Sequence, residues 1–131
     1  MKITQQLMDE LTAEAKVSPR LRMNRDLRNS PEDRSQRMLN AIEPGSSLPI
    51  HRHTKSSETV VCLREHLREL FYNDEGVVTD VIDLEPISDC VALNIPSGQW
   101  HMVEVLESGT VILEMKDGAY EPLAENDILS L

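Results

Sequence analysis

The sequence predicts an all-β fold, an antiparallel sandwich or small barrel, that follows an N-terminal helical segment. Short β-prone runs recur about every ten residues from position 37 onward, and no helical pattern separates them. Turn sequences lie between several of these runs, at residues 73–76 (NDEG), 107–109 (ESG) and 116–118 (KDG). Because parallel strands need a long crossover between them, usually a helix, this spacing favours antiparallel pairing.

Residues 4–16 (TQQLMDELTAEAK) form the predicted helix, because apolar side chains recur there at helical spacing without an intervening Gly or Pro. The positions that would share one apolar stripe are Leu7, Met8, Leu11 and Ala15. We expect this stripe to cover an edge or an open end of the following sheet, or to pack on a partner subunit. Acidic residues on the opposite face argue against attachment to a membrane surface.

A second, much shorter turn of helix is predicted at residues 30–33 (SPED), where Ser30 suits the N-cap and Pro31 the first helical position. The β-prone runs then follow at residues 37–43, 59–64, 67–72, 77–84, 91–95, 101–106, 110–115 and 127–131. We therefore predict one structural domain that consists of an Arg-rich helical arm, residues 1–36, and a barrel, residues 37–131.

The chain has 131 residues, which suits a single domain with its own core. Residues 1–10 (MKITQQLMDE) lack the apolar stretch of a secretory signal, and no window approaches the ~18 apolar residues of a transmembrane helix. Cys62 and Cys90 lie in apolar runs and are expected to be free thiols. These features predict a soluble protein of the reducing cytoplasm.

The net charge of −10 is distributed unevenly along the chain. Residues 1–64 hold 11 Lys and Arg against 8 Asp and Glu, whereas residues 65–131 hold 2 against 15. Nucleic acids and anionic membranes bind to basic faces, so the acidic half argues against both as partners.

Three histidines and one glutamate carry the strongest chemical signal. His51 and His53 stand two residues apart, so on a strand both imidazoles leave the same face and can reach one ion. Glu58 follows five residues after His53, and the turn sequence at 96–101 (PSGQWH) ends in His101. Imidazole nitrogens with one carboxylate suit a divalent transition metal, namely Fe, Mn, Co, Ni, Cu or Zn.

These stretches resemble the two motifs of the cupins. Gly45, five residues, His51-Arg52-His53, four residues and Glu58 are similar to the first motif, and the Pro-x-Gly-x-x-His pattern of residues 96–101 is similar to the second. The resemblance covers about residues 37–115. It implies the cupin double-stranded β-helix, a jelly-roll barrel, with the metal held in its mouth. The ligands that it implies are His51, His53, Glu58 and His101.

Three positions depart from the cupin pattern. Glu65 stands where the first motif usually closes with glycine, and Cys90 stands where the second usually opens with glycine. Val105 replaces an asparagine often found four residues after the last histidine. The first two positions shape turns, so the departures concern the backbone and the surroundings of the ligands.

The whole chain, including SPRLRMNRDLR in the arm and the ending DGAYEPLAENDILSL, resembles the WbuC type of small cupin fold metalloproteins, encoded in bacterial O-antigen gene clusters. That resemblance implies a setting in lipopolysaccharide biosynthesis, without a known reaction. The leading hypothesis is a metal-dependent enzyme, of the isomerase or epimerase type, that acts on a sugar-derived substrate. The alternatives are an iron-dependent oxygenase of a small organic acid and a non-catalytic, metal-dependent binding module. For proton transfer, the candidates nearest in sequence are Glu65 and His66.

Six of the nine arginines lie between positions 20 and 37. They form a solvated face or pair with acidic residues; alternatively, some of them lie across the barrel mouth and hold an anionic substrate. The candidates for this substrate contact are Arg20, Arg22, Arg25 and Arg28.

Two neighbours of the histidines have predicted positions. Trp100 either forms a pocket wall or fills the core, and Arg52 should point away from the metal because strand neighbours face opposite sides. Small cupins resemble one another in pairing through sheet edges, so we also expect a homodimer.

Overall fold

The computed structural model describes residues 1–130 and contains, in that range, one α-helix and ten strands. The elements are α1 (Gln5–Val17), β1 (Arg22–Asp26), β2 (Ser35–Ile42), β3 (Ile50–His51), β4 (Glu58–Arg64), β5 (Leu67–Tyr72), β6 (Val78–Leu84), β7 (Ala92–Ile95), β8 (Trp100–Glu104), β9 (Thr110–Asp117) and β10 (Ile128–Leu129). A 3-10 turn, Glu125–Asp127, precedes β10.

The strands form two five-stranded antiparallel sheets. Sheet A has the order β1-β2-β9-β4-β7, and sheet B has the order β10-β3-β8-β5-β6. Strands that are far apart in sequence are therefore neighbours in space, as β2 and β9 are. The predicted all-β fold with antiparallel pairing is confirmed.

The inner face of sheet A changes from apolar to polar along its length. In the register of β2, β9 and β4, Ile42, Ile112 and Cys62 lie toward one end and are buried. They pack with buried residues of sheet B in one apolar core. Toward the other end, the same inner face carries Glu58 on β4 opposite Lys116 on β9. The barrel thus has an apolar end and a polar end, and the polar end contains the candidate site.

Helix α1 packs on the outer face of sheet A. Its stripe of Met8, Leu11 and Ala15 is buried in one cluster with Leu39 and Val111 of the sheet. At the start of the helix, the Thr4 hydroxyl accepts a hydrogen bond from the Leu7 N–H at 3.1 Å. The helix therefore covers a face of the sheet rather than an edge or an open end. No helix among residues 1–130 is long and apolar enough to cross a membrane.

The predicted turn of helix at residues 30–33 is wrong, because this segment is an irregular turn. The Asp33 carboxylate accepts hydrogen bonds from the backbone N–H groups of Asn29 and Ser35 at 3.0 and 2.9 Å. An aspartate that bonds nearby N–H groups in this way competes with helix formation. Strand β2 then begins at Ser35, two residues earlier than predicted.

Strand β1 has no counterpart in the sequence prediction. Its five residues, RMNRD, include a single apolar side chain, Met23, and so show no alternation of apolar and polar positions. The strand pairs along its whole length with β2, from Arg22 opposite Ile42 to Asp26 opposite Met38. The arm thus contributes a strand to sheet A as well as a helix. At the other end of the chain, the predicted run 127–131 forms β10 at Ile128–Leu129, and Leu131 lies outside the described residues.

Replacement of Leu11 by alanine tests the role of α1. Leu11 is 1 % exposed between the helix and sheet A, so Leu11→Ala should lower the free energy of unfolding by about 2–5 kcal/mol. Urea denaturation followed by circular dichroism measures this change. Val17→Ala is the control, because Val17 is 83 % exposed. Equal stability of the two variants would contradict the packing described here.

Candidate metal centre

The two motifs are brought together by strand pairing between β3 and β8. His51 on β3 lies directly opposite His101 on β8, with 4.3 Å between the ring centroids. The turn before β8 is tied to His53, two residues after the end of β3, because the Gly98 N–H donates to the His53 carbonyl at 2.7 Å. Gly98 has a φ of 83°, a backbone conformation that glycine adopts readily. Glu58 begins β4, so sheet A supplies the fourth side chain.

The side chains of His51, His53, Glu58 and His101 converge on one point. One nitrogen or oxygen atom from each of the four lies within 4.8 Å of the others. The Nε2 atoms of His53 and His101 lie 3.2 and 3.6 Å from Glu58 Oε2. The structure therefore assembles all four predicted ligands into one cluster.

Two of the imidazoles are oriented by backbone carbonyls. His51 Nδ1 lies 3.0 Å from the Pro49 carbonyl oxygen, and His101 Nδ1 lies 2.8 Å from the Gln99 carbonyl oxygen. A carbonyl oxygen only accepts hydrogen bonds, so both Nδ1 atoms carry a proton, and in the neutral ring the Nε2 atom then keeps its lone pair. This is the arrangement in which metal-binding histidines are usually held.

His53 has a different neighbour. Its Nδ1 atom lies 3.2 Å from the Lys116 ammonium, which can only donate. His53 Nδ1 therefore accepts, and in this arrangement the ring proton is on Nε2, toward Glu58. A metal ion at Nε2 takes the place of that proton, because metal binding requires a free lone pair.

The electrostatics of the cluster favour a neutral His51 and an ionised Glu58. Burial, together with the nearby His101 ring, lowers the pKa of His51 to about 4. Burial raises the pKa of the Glu58 carboxyl, but the imidazoles of His101 and His53 outweigh burial and hold that pKa below its usual range. Glu58 Oε2 is buried and has no hydrogen-bond partner within residues 1–130. Imidazole nitrogens around an unsatisfied carboxylate oxygen form a donor set that fits a divalent transition-metal ion.

A cavity of about 550 Å³ opens beside this cluster, and His51, His53 and Glu58 line it. The cavity volume lies in the range that holds small-molecule ligands. Glu114 of β9 also lies on the wall. In the register of β4 and β9, Glu58 pairs with Lys116 and Val60 pairs with Glu114. Glu114 is thus the diagonal neighbour of Glu58, at a distance of about 7–8 Å for residues so placed.

Two glutamates inside the barrel are acids that the sequence analysis missed. Burial, with the charge of Glu58 acting in the same direction, raises the pKa of Glu114 to about 8, against the effect of Lys116. Glu69 of β5 is 1 % exposed, its Oε2 atom has no hydrogen-bond partner in the described chain, and burial raises its pKa well above the usual range. In β9, Glu114 and Lys116 alternate with apolar residues, but alternation does not say which face is inside, and the β5 sequence LRELFY has no such alternation.

Of the predicted substrate contacts, Arg20, Arg22 and Arg28 line the cavity. Arg25 does not line the cavity. It lies three residues after Arg22 on β1, and because side chains alternate along a strand, it points to the other face.

Trp100 is buried with Ile50 and Tyr72 and does not line the cavity. Its indole N–H donates to Asp74 at 2.9 Å. Arg52 points away from the cluster, as expected, stacks over the Trp100 ring at 4.3 Å and pairs with Asp127 at 3.1 Å. Trp100 and Arg52 therefore pack on the side of β3 and β8 that faces away from the cluster.

Glu65 and His66 lie far from the cluster. They follow the last residue of β4, and the seven residues of that strand extend about 20 Å from Glu58. His66 Nε2 contacts Asp83 at 2.7 Å, and neither residue lines the cavity. Glu65 has a φ of 61°, which accounts for the glycine usually found at this position of the motif. Val105, the third departure, is buried in the apolar core.

The fold is that of the cupins, as comparison with solved structures shows. KdgF from Halomonas sp. superposes with a TM-score of 0.59 at 14 % identity, over 78 % of this chain and 83 % of that chain. An oxalate oxidase in complex with the substrate analogue glycolate gives a TM-score of 0.65 at 11 % identity, over 83 % of this chain and 57 % of that chain. The oxalate decarboxylase of Bacillus subtilis, a protein with Mn(II) centers, gives 0.58 at 20 % identity, over 84 % of this chain and 28 % of that chain.

At these identities the likeness concerns the fold, and the jelly-roll barrel implied by the two motifs is confirmed. Within that fold, the chain belongs to the family described as "Domain of unknown function (DUF6016)", whose model matches residues 3–84. The match includes the helix, β1 and three of the four clustered side chains, and ends before His101. No curated protein matches the sequence.

The raised pKa of Glu114 predicts how stability depends on pH in the metal-free protein. The folded state keeps this proton up to about pH 8, whereas the unfolded chain loses it near the ordinary value of 4.5. The contribution of Glu114 to stability is therefore present below pH 4.5 and is lost as the pH rises to about 8, at no more than about 1.4 kcal/mol per pH unit. The charged groups that act on Glu114 are Glu58, which raises its pKa, and Lys116, which lowers it.

Glu114→Gln should make this decline shallower, as measured by urea denaturation in a chelating buffer at several pH values. Glu75→Gln, in the exposed turn after β5, is the matched control and should follow the wild type. A decline in Glu114→Gln as steep as that of the control would show that Glu114 ionises normally.

Proposed function

We propose that this protein is a metal-dependent enzyme that acts on a sugar-derived substrate. The observation that supports the proposal most strongly is the convergence of three histidines and Glu58 within 4.8 Å, beside a cavity that Glu114 also lines. Two settings belong to the proposal: the cytoplasm, which rests on the two cysteines expected to be free thiols, and cell-surface polysaccharide (O-antigen) metabolism, which rests on the sequence resemblance alone.

His51, His53, Glu58 and His101 would hold the ion. A divalent ion supplies Lewis-acid chemistry, because it polarises a carbonyl or hydroxyl oxygen of a bound molecule. The backbone carbonyls of Pro49 and Gln99 fix the imidazoles, and Arg52 stacks on the other side of the same strands.

Glu114 is the residue that we assign to proton transfer. It lies on the cavity wall next to the cluster, and at neutral pH its carboxyl group is protonated and can donate to a substrate oxygen. After it has lost its proton, the same carboxylate can accept one. Glu114 thereby takes the role for which Glu65 and His66 were considered, since both of those lie outside the cavity.

A second candidate function is an iron-dependent oxygenase of a small organic acid. One of the superposed proteins is named an oxalate oxidase, and the cavity of this chain is lined by arginines that could bind a carboxylate. Oxygen uptake by the iron-loaded protein in the presence of small organic acids would favour this alternative over the sugar-modifying enzyme.

Metal content tests the first part of the proposal. Protein purified without an affinity tag or added metal should contain near one transition-metal ion per chain, measured by plasma mass spectrometry. His51→Ala and His101→Ala should each weaken retention by more than about tenfold, because each removes a ligand. His66→Ala is the control and should keep the metal, since His66 lies far from the cluster. Metal retained in both ligand variants, or bound by none of the proteins after reloading, would refute the centre.

Turnover tests the second part of the proposal. Metal-loaded protein should convert at least one member of a panel of nucleotide sugars, sugar phosphates and sugar acids, followed by proton NMR. Chelation should abolish conversion, and Glu114→Gln should slow it by about 10²–10⁴-fold while the metal content stays unchanged. Conversion at the normal rate after chelation would exclude the proposed role of the metal.

A further inference from the structure

Five cationic side chains line the cavity beside the metal centre, and three of them already have a partner. The partnered contacts are Arg28 with Asp26 at 2.7 Å, Arg37 with Asp33 at 3.3 Å, and Lys116 with His53 Nδ1 at 3.2 Å. Arg20 and Arg22 are different, because within residues 1–130 neither side chain contacts a carboxylate or an imidazole, and Arg22 contacts only Ser46 and Ser47. The two arginines are therefore the cations of this cavity that are available to a ligand.

Arg22 is held in place while part of its guanidinium stays free. Its Nη1 atom donates to the Ser47 carbonyl at 2.9 Å and to the Ser46 hydroxyl at 3.4 Å. The same Ser46 hydroxyl donates to the Arg20 backbone carbonyl at 2.8 Å, so one side chain contacts both the Arg22 guanidinium and the backbone of Arg20. Nε and Nη2 of Arg22 have no hydrogen-bond partner in the described part of the chain. A guanidinium fixed on one edge presents its other donors to carboxylate or phosphate oxygens.

The two arginines repel each other, and no carboxylate of the described chain compensates for this repulsion. Partial burial and the charge of Arg20 lower the pKa of Arg22, which is the effect expected for two neighbouring cations. A bound anion would compensate for both charges at once. Asp26 of the same strand does not do so, because it is bound to the guanidinium of Arg28 through both of its oxygens.

The backbone between the arginines adopts a strained conformation. Leu21 has a φ of 55°, in the left-handed region that residues other than glycine rarely enter. Its N–H donates to Ser18 and its carbonyl accepts from the Glu43 N–H, so the conformation is held from both sides. A Cβ atom at Gly45 would come within 3.3 Å of the Leu21 side chain, and glycine leaves that space open. Strain that the surroundings maintain in this way is typical of binding and catalytic sites.

The segment that holds the arginines continues directly into the metal centre. Ser46 and Ser47 contact Arg22, Pro49 orients His51, and only residue 48 and residue 50 separate these contacts along the chain. The arginines and the histidines also line one cavity of about 550 Å³, which is large enough for a single sugar unit with one charged group.

We propose that Arg20 and Arg22 together bind the anionic group, a carboxylate or a phosphate, of a substrate whose uncharged part faces the metal centre. This inference rests on the proposed function, and it narrows the substrate to anionic sugar derivatives. Arg25 takes no part, since it lies on the other face of β1.

Calorimetric titration with glucuronate, glucose 6-phosphate and neutral glucose tests the inference. At least one of the two anionic sugars should bind more tightly than glucose by tenfold or more, and the stronger of the two identifies carboxylate or phosphate as the preferred group. Arg20→Gln and Arg22→Gln should each weaken that binding by about ten- to a hundredfold, the usual effect of removing a hydrogen bond to a charged group. Arg20→Gln keeps the inference testable if Arg22→Gln fails to fold, because the Arg20 side chain is exposed.

Arg25→Gln is the matched control and should bind as the wild type does, with the same change in net charge. Equal binding by Arg20→Gln and Arg25→Gln would overturn the inference, as would a wild type that binds neither anionic sugar or binds glucose equally well. The same titrations on chelated protein separate the inference from the proposed function. If the chelated protein still prefers anionic sugars while the metal-loaded protein converts no member of the substrate panel, the arginine site stands and the enzyme proposal fails.

Discussion

The burial of three glutamates inside one small barrel is the constraint on which the rest of the site depends. Glu58, Glu69 and Glu114 repel one another through the interior, and Lys116 of β9 lies directly opposite Glu58 of β4 in the sheet register. Such a group of acids is unfavourable unless some of them keep their protons or a cation is bound. Glu69 and Glu114 keep their protons, and the histidines hold Glu58 in a position where it can bind a cation.

The chain concentrates its polar chemistry at one end of the barrel and leaves the other end to apolar packing. The register of β2, β9 and β4 produces this division, because inward positions alternate along each strand and change from isoleucine and valine to glutamate and lysine. Helix α1 stabilises the outer face of the same sheet and does not reach the cavity. Stability and chemistry are therefore carried by different side chains of the same three strands.

The four clustered side chains and the fold class could be predicted because their signals are local. His51, His53 and Glu58 lie within eight residues, and the turn that places His101 has its own sequence pattern. The positions of Glu114 and Lys116 could not be predicted, because they depend on the pairing of β9 with β4. In that pairing Lys116 lies opposite Glu58, which is 58 positions away in the sequence. Strand β1 was missed because its sequence, RMNRD, has no alternation, and it forms through pairing with β2 rather than through its own preference.

Leu21 shows how binding and stability are opposed within a single residue. Glycine at this position would adopt the left-handed conformation without strain, but it would also widen the range of conformations open to the unfolded chain and remove the side chain that lies against Gly45. The turn would then be less fixed, and the arginines on either side of it would lose part of their order before a ligand arrives. Position 21 thus meets two opposed requirements. The backbone conformation of the turn favours glycine, whereas the order of the two arginines before binding favours a bulky side chain.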